Sequence, residues 1–117
     1  MNCKVATTSW NNFILNAQPD IDISADQWRI ISAIVKTHLP DKTVWAFGSR
    51  VKHTSKPYSD LDLIIIGDDA IPLNVLASLG NAFADSDLPF KVDLLDWATV
   101  SQEFRTVIEN DHVVLNF

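Results

Sequence analysis

Residues 60–66 read Asp-Leu-Asp-Leu-Ile-Ile-Ile, a strand of pure core character except for two acids at its front. Burying a carboxylate is costly unless it is paired, hydrogen-bonded or bound to a cation. Side chains at i and i+2 of a strand share a face. Asp60 and Asp62 therefore project together with Ile64 beyond them, while Leu61, Leu63 and Ile65 pack on the opposite side. Carboxylates held that close repel each other. A bridging Mg²⁺ relieves the conflict, because hard cations take oxygen ligands and keep positions open for water and substrate phosphates.

The segment before the pair supplies the complement. Phe47-Gly48-Ser49 leaves a β-rich run, Thr43 to Phe47, at a turn where glycine lets the backbone approach a ligand. Ser49 offers a hydroxyl and can cap a following helical turn, whose free N–H groups suit an anion. Arg50, Lys52 and Lys56 are three of the nine basic residues in the chain, with His53 among them. Taken singly, a Gly-Ser is most often a turn and a basic run most often solvated surface. Their order, Gly-Ser turn and basic loop and then acidic pair, is what points to a site for phosphate and a divalent metal together.

Around this motif the chain predicts helix, strand, strand, helix, strand, helix. Ser24 caps a helix to His38 with Trp28, Ile31, Ile34 and Val35 on one face, stopped by Pro40. Leu73, Leu76, Leu79, Ala82 and Phe83 mark a second helix from Pro72 to about Asp85. Lys91–Asp96 is a third strand, Thr99–Glu109 a last helix, and HVVLNF an edge strand or extended tail. The result is a small α/β (α+β) domain, a short mixed β-sheet flanked by helices, over residues 24–117. Residues 1–23 read as an N-terminal extension with an apolar cluster at Trp10, Phe13, Ile14 and Leu15, and with Asp20 and Asp22 solvated.

A third carboxylate is expected beside the pair. In VDLLD, Asp93 and Asp96 are three apart and so lie on opposite faces of a strand. The short link between the first two strands makes them antiparallel neighbours, and the helix between the second and third is a crossover joining parallel strands. The third strand then starts at the Asp60 end, which selects Asp93; Asp96 reads as an N-cap or turn residue ahead of the last helix.

Composition closes off other classes. A formal net charge of −6 argues against a nucleic-acid surface. Cys3 is the lone cysteine, and the three histidines have no zinc-ligand spacing. The longest apolar run is far too short to cross a bilayer, and the N-terminus does not read as a signal peptide, so a cytoplasmic protein is expected.

Gly48-Ser49, ten intervening residues and Asp60-Leu61-Asp62 resemble the G-S-x10-D-x-D pattern of the polymerase-β-like nucleotidyltransferases. The short chain, with V-D-L-L after a crossover helix, resembles the minimal nucleotidyltransferase subgroup. Where many members carry a glycine late in the loop, this chain reads KPYSD. The resemblance implies Asp60, Asp62 and Asp93 as catalytic, Mg²⁺-binding residues (two metal sites), with ATP as substrate and Gly48, Ser49 and Arg50 on its phosphates. It also implies an antitoxin that transfers AMP to a tyrosine hydroxyl of a partner HEPN toxin, in a hetero-oligomer. The alternative is a catalytically silent antitoxin that neutralises its partner by occlusion.

Overall fold

The computed structural model describes residues 18–117. Most of the extension, including the cluster expected around Trp10, lies outside the described residues. Helix α1, Ala25–His38, is fixed at its start by a reciprocal capping box: Gln27 N–H donates to Ser24 Oγ (3.1 Å), and Ser24 N–H donates to Gln27 Oε1 (2.8 Å). Strand β1 is Thr43–Phe47, β2 Leu61–Ile66, α2 Leu73–Ala84 and β3 Val92–Asp96. A short 3-10 turn, Trp97–Thr99, leads to α3, Gln102–Asn110, and β4, His112–Leu115.

The sheet order is β3-β2-β1-β4. β2 is antiparallel to β1 and parallel to β3, and β4 closes the far edge antiparallel to β1. The mixed sheet with flanking helices is the architecture expected from the strand links. Its register sets one row across the sheet at the level of the acids: Asp93, Asp62, Phe47, His112.

Alternation along β2 divides the two sides. Leu61, Leu63 and Ile65 are fully buried, with Val44 and Ala46 of β1, in one core with Trp28, Ile31 and Val35 of α1 and Leu79 and Phe83 of α2. Each such aliphatic side chain contributes about 1.5–3 kcal/mol relative to exposure. On the other face Ile64 is fully buried as well, beneath an aromatic layer. Trp45 stacks on His112 (3.9 Å between centroids) and meets Trp97 edge-on, and Phe47 meets Phe104 of α3 edge-on. Phe47 and His112 carry this layer into the row of the acids, and Asp62 and Asp93 continue that row beside it.

Three expectations need correction. The last helix begins at Gln102, because Asp96 caps the 3-10 turn and Ser101 then caps α3 anew, accepting from Phe104 N–H. Leu73, placed on the buried face of α2, is 84% exposed: it is the first residue after Pro72, a turn before the helix reaches the core. Asp22 is not simply solvated; it accepts from Ser55 Oγ at 2.7 Å and pairs with His53 Nδ1 at 2.5 Å, while Ile21 beside it is buried. The packed body therefore reaches ahead of residue 24.

Candidate active site

Gly48 ends β1 with φ +82°, a left-handed conformation that side-chain-bearing residues rarely adopt. A Cβ at this position would overlap the carboxylate of Asp62. The turn that begins here thus passes directly against the second acid, and only glycine leaves room for it. Gly48 C=O accepts from the N–H groups of Val51 and Lys52 (both 3.1 Å), and Ser49 C=O accepts from Thr54 N–H at 3.0 Å. The segment is a single hydrogen-bonded turn that does not continue into a helix. Among the described residues, the Ser49 hydroxyl and the N–H groups of Ser49 and Arg50 have no protein hydrogen-bond partner.

Asp60 lies immediately before β2, Asp62 within it, and Asp93 is the register partner of Asp62 on β3. Asp62 and Asp93 are within hydrogen-bonding reach, and Asp60 is close enough to add repulsion. Burial first, then the Asp93 and Asp60 charges, push the Asp62 carboxyl up to about 6. Among the described residues no three His, Cys, Asp or Glu side chains converge so tightly as to hold a metal ion by themselves. The close pair with Asp60 alongside nevertheless has the donor chemistry of a hard divalent cation, which takes carboxylate oxygens and completes its shell with phosphate oxygens and water. Crowded negative charge on a half-buried aspartate fits such an ion.

Asp96, on the opposite face of β3, does not join them. It is buried, accepts from Ile71 N–H at 2.6 Å and from Ala98 N–H at 3.2 Å, and serves as the cap expected of it.

Arg50 departs from the expectation that its side chain would face the nucleotide. It is 4% exposed, and its guanidinium is turned inward onto backbone carbonyls and over the Phe90 ring. The planar fork donates to four backbone carbonyls there, which leaves the backbone N–H of Arg50 as what it offers outward. His53 is drawn to Asp22 and Asp20, so Lys52 and Lys56 are the exposed cations of the loop.

Beside Asp60 opens a cleft of about 580 Å³ whose lining includes Tyr58, Phe83, Pro89 and Lys91. Tyr58 is 78% exposed. Sequence reasoning gave neither Tyr58 nor Lys91 a place beside the acids. An aromatic in an otherwise polar loop, two residues ahead of the first acid, was the available signal for Tyr58; Lys91 comes to the cleft only through the parallel pairing of β2 and β3.

The glycine turn, the acidic row and the mixed sheet are the arrangement of a nucleotidyltransferase. Residues 30–116 match the family model described as "Polymerase beta, Nucleotidyltransferase", and the chain belongs to that family. It is 52% identical over 97 residues to the "Probable protein adenylyltransferase MntA" of Haemophilus influenzae, covering 81% of this chain and 83% of that protein. Two solved structures share the fold. One, described as a toxin-antitoxin with AMP-PNP, has a TM-score of 0.61 at 22% identity over 72% of this chain and 68% of that one. The other, a mutant toxin-antitoxin pair MntA-HpeT, has a TM-score of 0.63 at 21% identity over 80% and 72%. Among the described residues no helix is long and apolar enough to cross a membrane.

Proposed function

We propose that this nucleotidyltransferase moves AMP from ATP onto a hydroxyl of a partner toxin and so acts as an antitoxin. The observation that carries the reading is the placement of Asp62 and Asp93 side by side, with the Gly48-Ser49 turn pressed against Asp62. Kinship at 52% identity to a probable protein adenylyltransferase supports the acceptor class, and the likeness to toxin-antitoxin structures is consistent with it. The finer form of the reading is a HEPN-type toxin with a tyrosine acceptor.

In this mechanism the N–H groups and hydroxyl of the Ser49 turn hold the β- and γ-phosphates. Asp60 and Asp62, with Asp93, would hold Mg²⁺, which when bound neutralises the phosphate oxygens and makes the α-phosphorus more electrophilic. The Asp93 carboxylate takes the proton of the acceptor hydroxyl. The acceptor oxygen forms its bond to the α-phosphorus as the bond to the β-phosphate oxygen breaks and pyrophosphate leaves. The cleft beside Asp60 offers space for the remainder of the nucleotide or for the incoming side chain.

The test is α-labelled ATP with Mg²⁺, the protein and its co-purified or neighbour-encoded partner. Label on the partner, lost in Asp60→Asn with Asp62→Asn and lost with EDTA, is the expected result. A wild-type protein that silences its partner without transferring label would replace this reading with inhibition by occlusion.

A further inference from the structure

We propose that Arg50 is a positioning residue for nucleotidyl transfer, a clamp that holds the phosphate turn and the metal-binding carboxylates at one fixed separation. The inference rests on the assignment of Ser49, Asp60, Asp62 and Asp93 to the proposed site. One guanidinium gathers four segments. Nη1 donates to Asp22 C=O at 2.6 Å, and Asp22 N–H returns a bond to Arg50 C=O at 2.9 Å. Nε and Nη2 both donate to Ser59 C=O, at 3.0 and 2.7 Å, and Nη2 also reaches Pro57 C=O at 3.0 Å and Lys56 C=O at 3.4 Å. The charged plane lies 3.9 Å from the centroid of Phe90.

The positions of these partners give the contacts their meaning. Arg50 follows Ser49 directly; Ser59 directly precedes Asp60; Phe90 sits just ahead of β3, where Lys91 C=O accepts from Leu61 N–H at 2.9 Å. The chain between Thr54 and Asp60 has no regular secondary structure and lacks a glycine. Its carbonyls turn inward to a single side chain, so the distance from the Ser49 turn to Asp60 depends on that side chain. Burial lowers the pKa of Arg50, while the Asp22 and Asp60 charges oppose the shift; an arginine stays charged in such a setting. Lysine, a point charge without the planar fork, cannot bind Asp22, Pro57 and Ser59 together.

In the proposed site a Mg²⁺–ATP complex would span both held segments, whereas Mg²⁺ alone would touch only the carboxylates. Loosening the clamp therefore weakens the spanning ligand selectively. The experiment compares Arg50→Lys with wild type well below the unfolding temperature, with rates expressed per folded molecule. Affinity for Mg²⁺ with a non-hydrolysable ATP analogue is expected to fall about tenfold. Affinity for Mg²⁺ or Mn²⁺ alone should stay within about twofold, and label transfer to the partner should fall about a hundredfold or less. Unchanged analogue binding and transfer would overturn the proposal, as would an equal loss for the metal alone, which indicates general collapse of the site. Should Arg50→Lys not fold, Phe90→Leu, which removes the platform under the guanidinium, must show the same split at smaller amplitude. If the wild type binds the analogue but labels nothing, the proposed transfer falls while the binding split still decides the role of Arg50.

Discussion

Asp62 and Asp93 face each other as register partners on adjacent parallel strands, with their carboxylates within hydrogen-bonding reach. Nothing in local sequence brings them together; thirty residues and a crossover helix separate them. Two like charges at that spacing destabilise the metal-free fold, and in the proposed function the same two carboxylates would hold a divalent cation. Activity and stability therefore pull in opposite directions at Asp62. Asp62→Asn is expected to raise the thermal midpoint of metal-free protein by about 3–6 °C, near 1 kcal/mol for a domain of this size. The same change should reduce transfer by about a thousandfold or more. Calorimetry in EDTA and the labelling assay check the two halves.

Gly48 is the second point where fold and site coincide. Gly48→Ala places a methyl group in a left-handed conformation, costing about 1–2 kcal/mol, and drives it into the Asp62 carboxylate. Denaturant unfolding should show a loss of about 2 kcal/mol or more. Transfer by the folded fraction should fall at least about a hundredfold, because relief of the overlap moves either Asp62 or the Gly48-Ser49 turn.

The pairing of His53 with Asp22 and Asp20 ties the basic loop to the lead-in of α1, and it sets a pH window. The hydrogen bond to Asp22 raises the His53 pKa above 6.5, and bonds from Ser55 and His53 lower that of Asp22 below 3.8. The histidine's contribution is complete below 6.5 and is lost as pH rises through its higher folded value. The aspartate's contribution is complete above 3.8 and is lost as pH falls through its lower folded value. The tie is strongest between about pH 4 and 6.5. An NMR titration should place His53 above 6.5, and Asp22→Asn should return it toward that value. A His53 midpoint unaffected by Asp22→Asn would mean that the pair does not form in solution.

How much of this was legible beforehand follows from the range of the physics involved. The G-S-x10-D-x-D spacing, the capping serine of α1 and the alternation of β2 are local, and each follows from residues a few positions apart. The selection of Asp93 needed only strand direction, which the link lengths supplied. The fate of Arg50 was not readable, because a basic residue after a Gly-Ser looks the same whether it faces solvent or the carbonyls of Asp22, Pro57 and Ser59. Those acceptors are backbone groups and leave no mark in the side-chain pattern. The Asp22–His53 tie was hidden for a related reason: an aspartate in a polar lead-in reads as solvated until a loop thirty residues away closes on it. The break between Asp96 and α3 was missed because Val100 continues the apolar pattern across a 3-10 turn.

Asp93 and Asp96 offer the sharpest comparison, since both are aspartates of one short strand with opposite fates. Asp93 is exposed on the side of Asp62 and has no backbone group to satisfy among the described residues. Asp96 is buried and accepts from Ile71 N–H and Ala98 N–H, joining the approach to α2 to the turn that follows β3. Removing a carboxylate that satisfies buried donors costs about 1–3 kcal/mol for each group left unpaired. Asp96→Ala should therefore lower stability by about 2–4 kcal/mol, while transfer per folded molecule stays within about threefold of wild type. Asp93→Asn should leave the unfolding midpoint unchanged or slightly raised, because it removes a like charge beside Asp62, and should reduce transfer by about a thousandfold. Parallel unfolding curves and labelling assays on the two variants check this crossed pattern. If Asp96→Ala abolished transfer in folded protein, or Asp93→Asn transferred normally, the assignment of the third acid would be wrong.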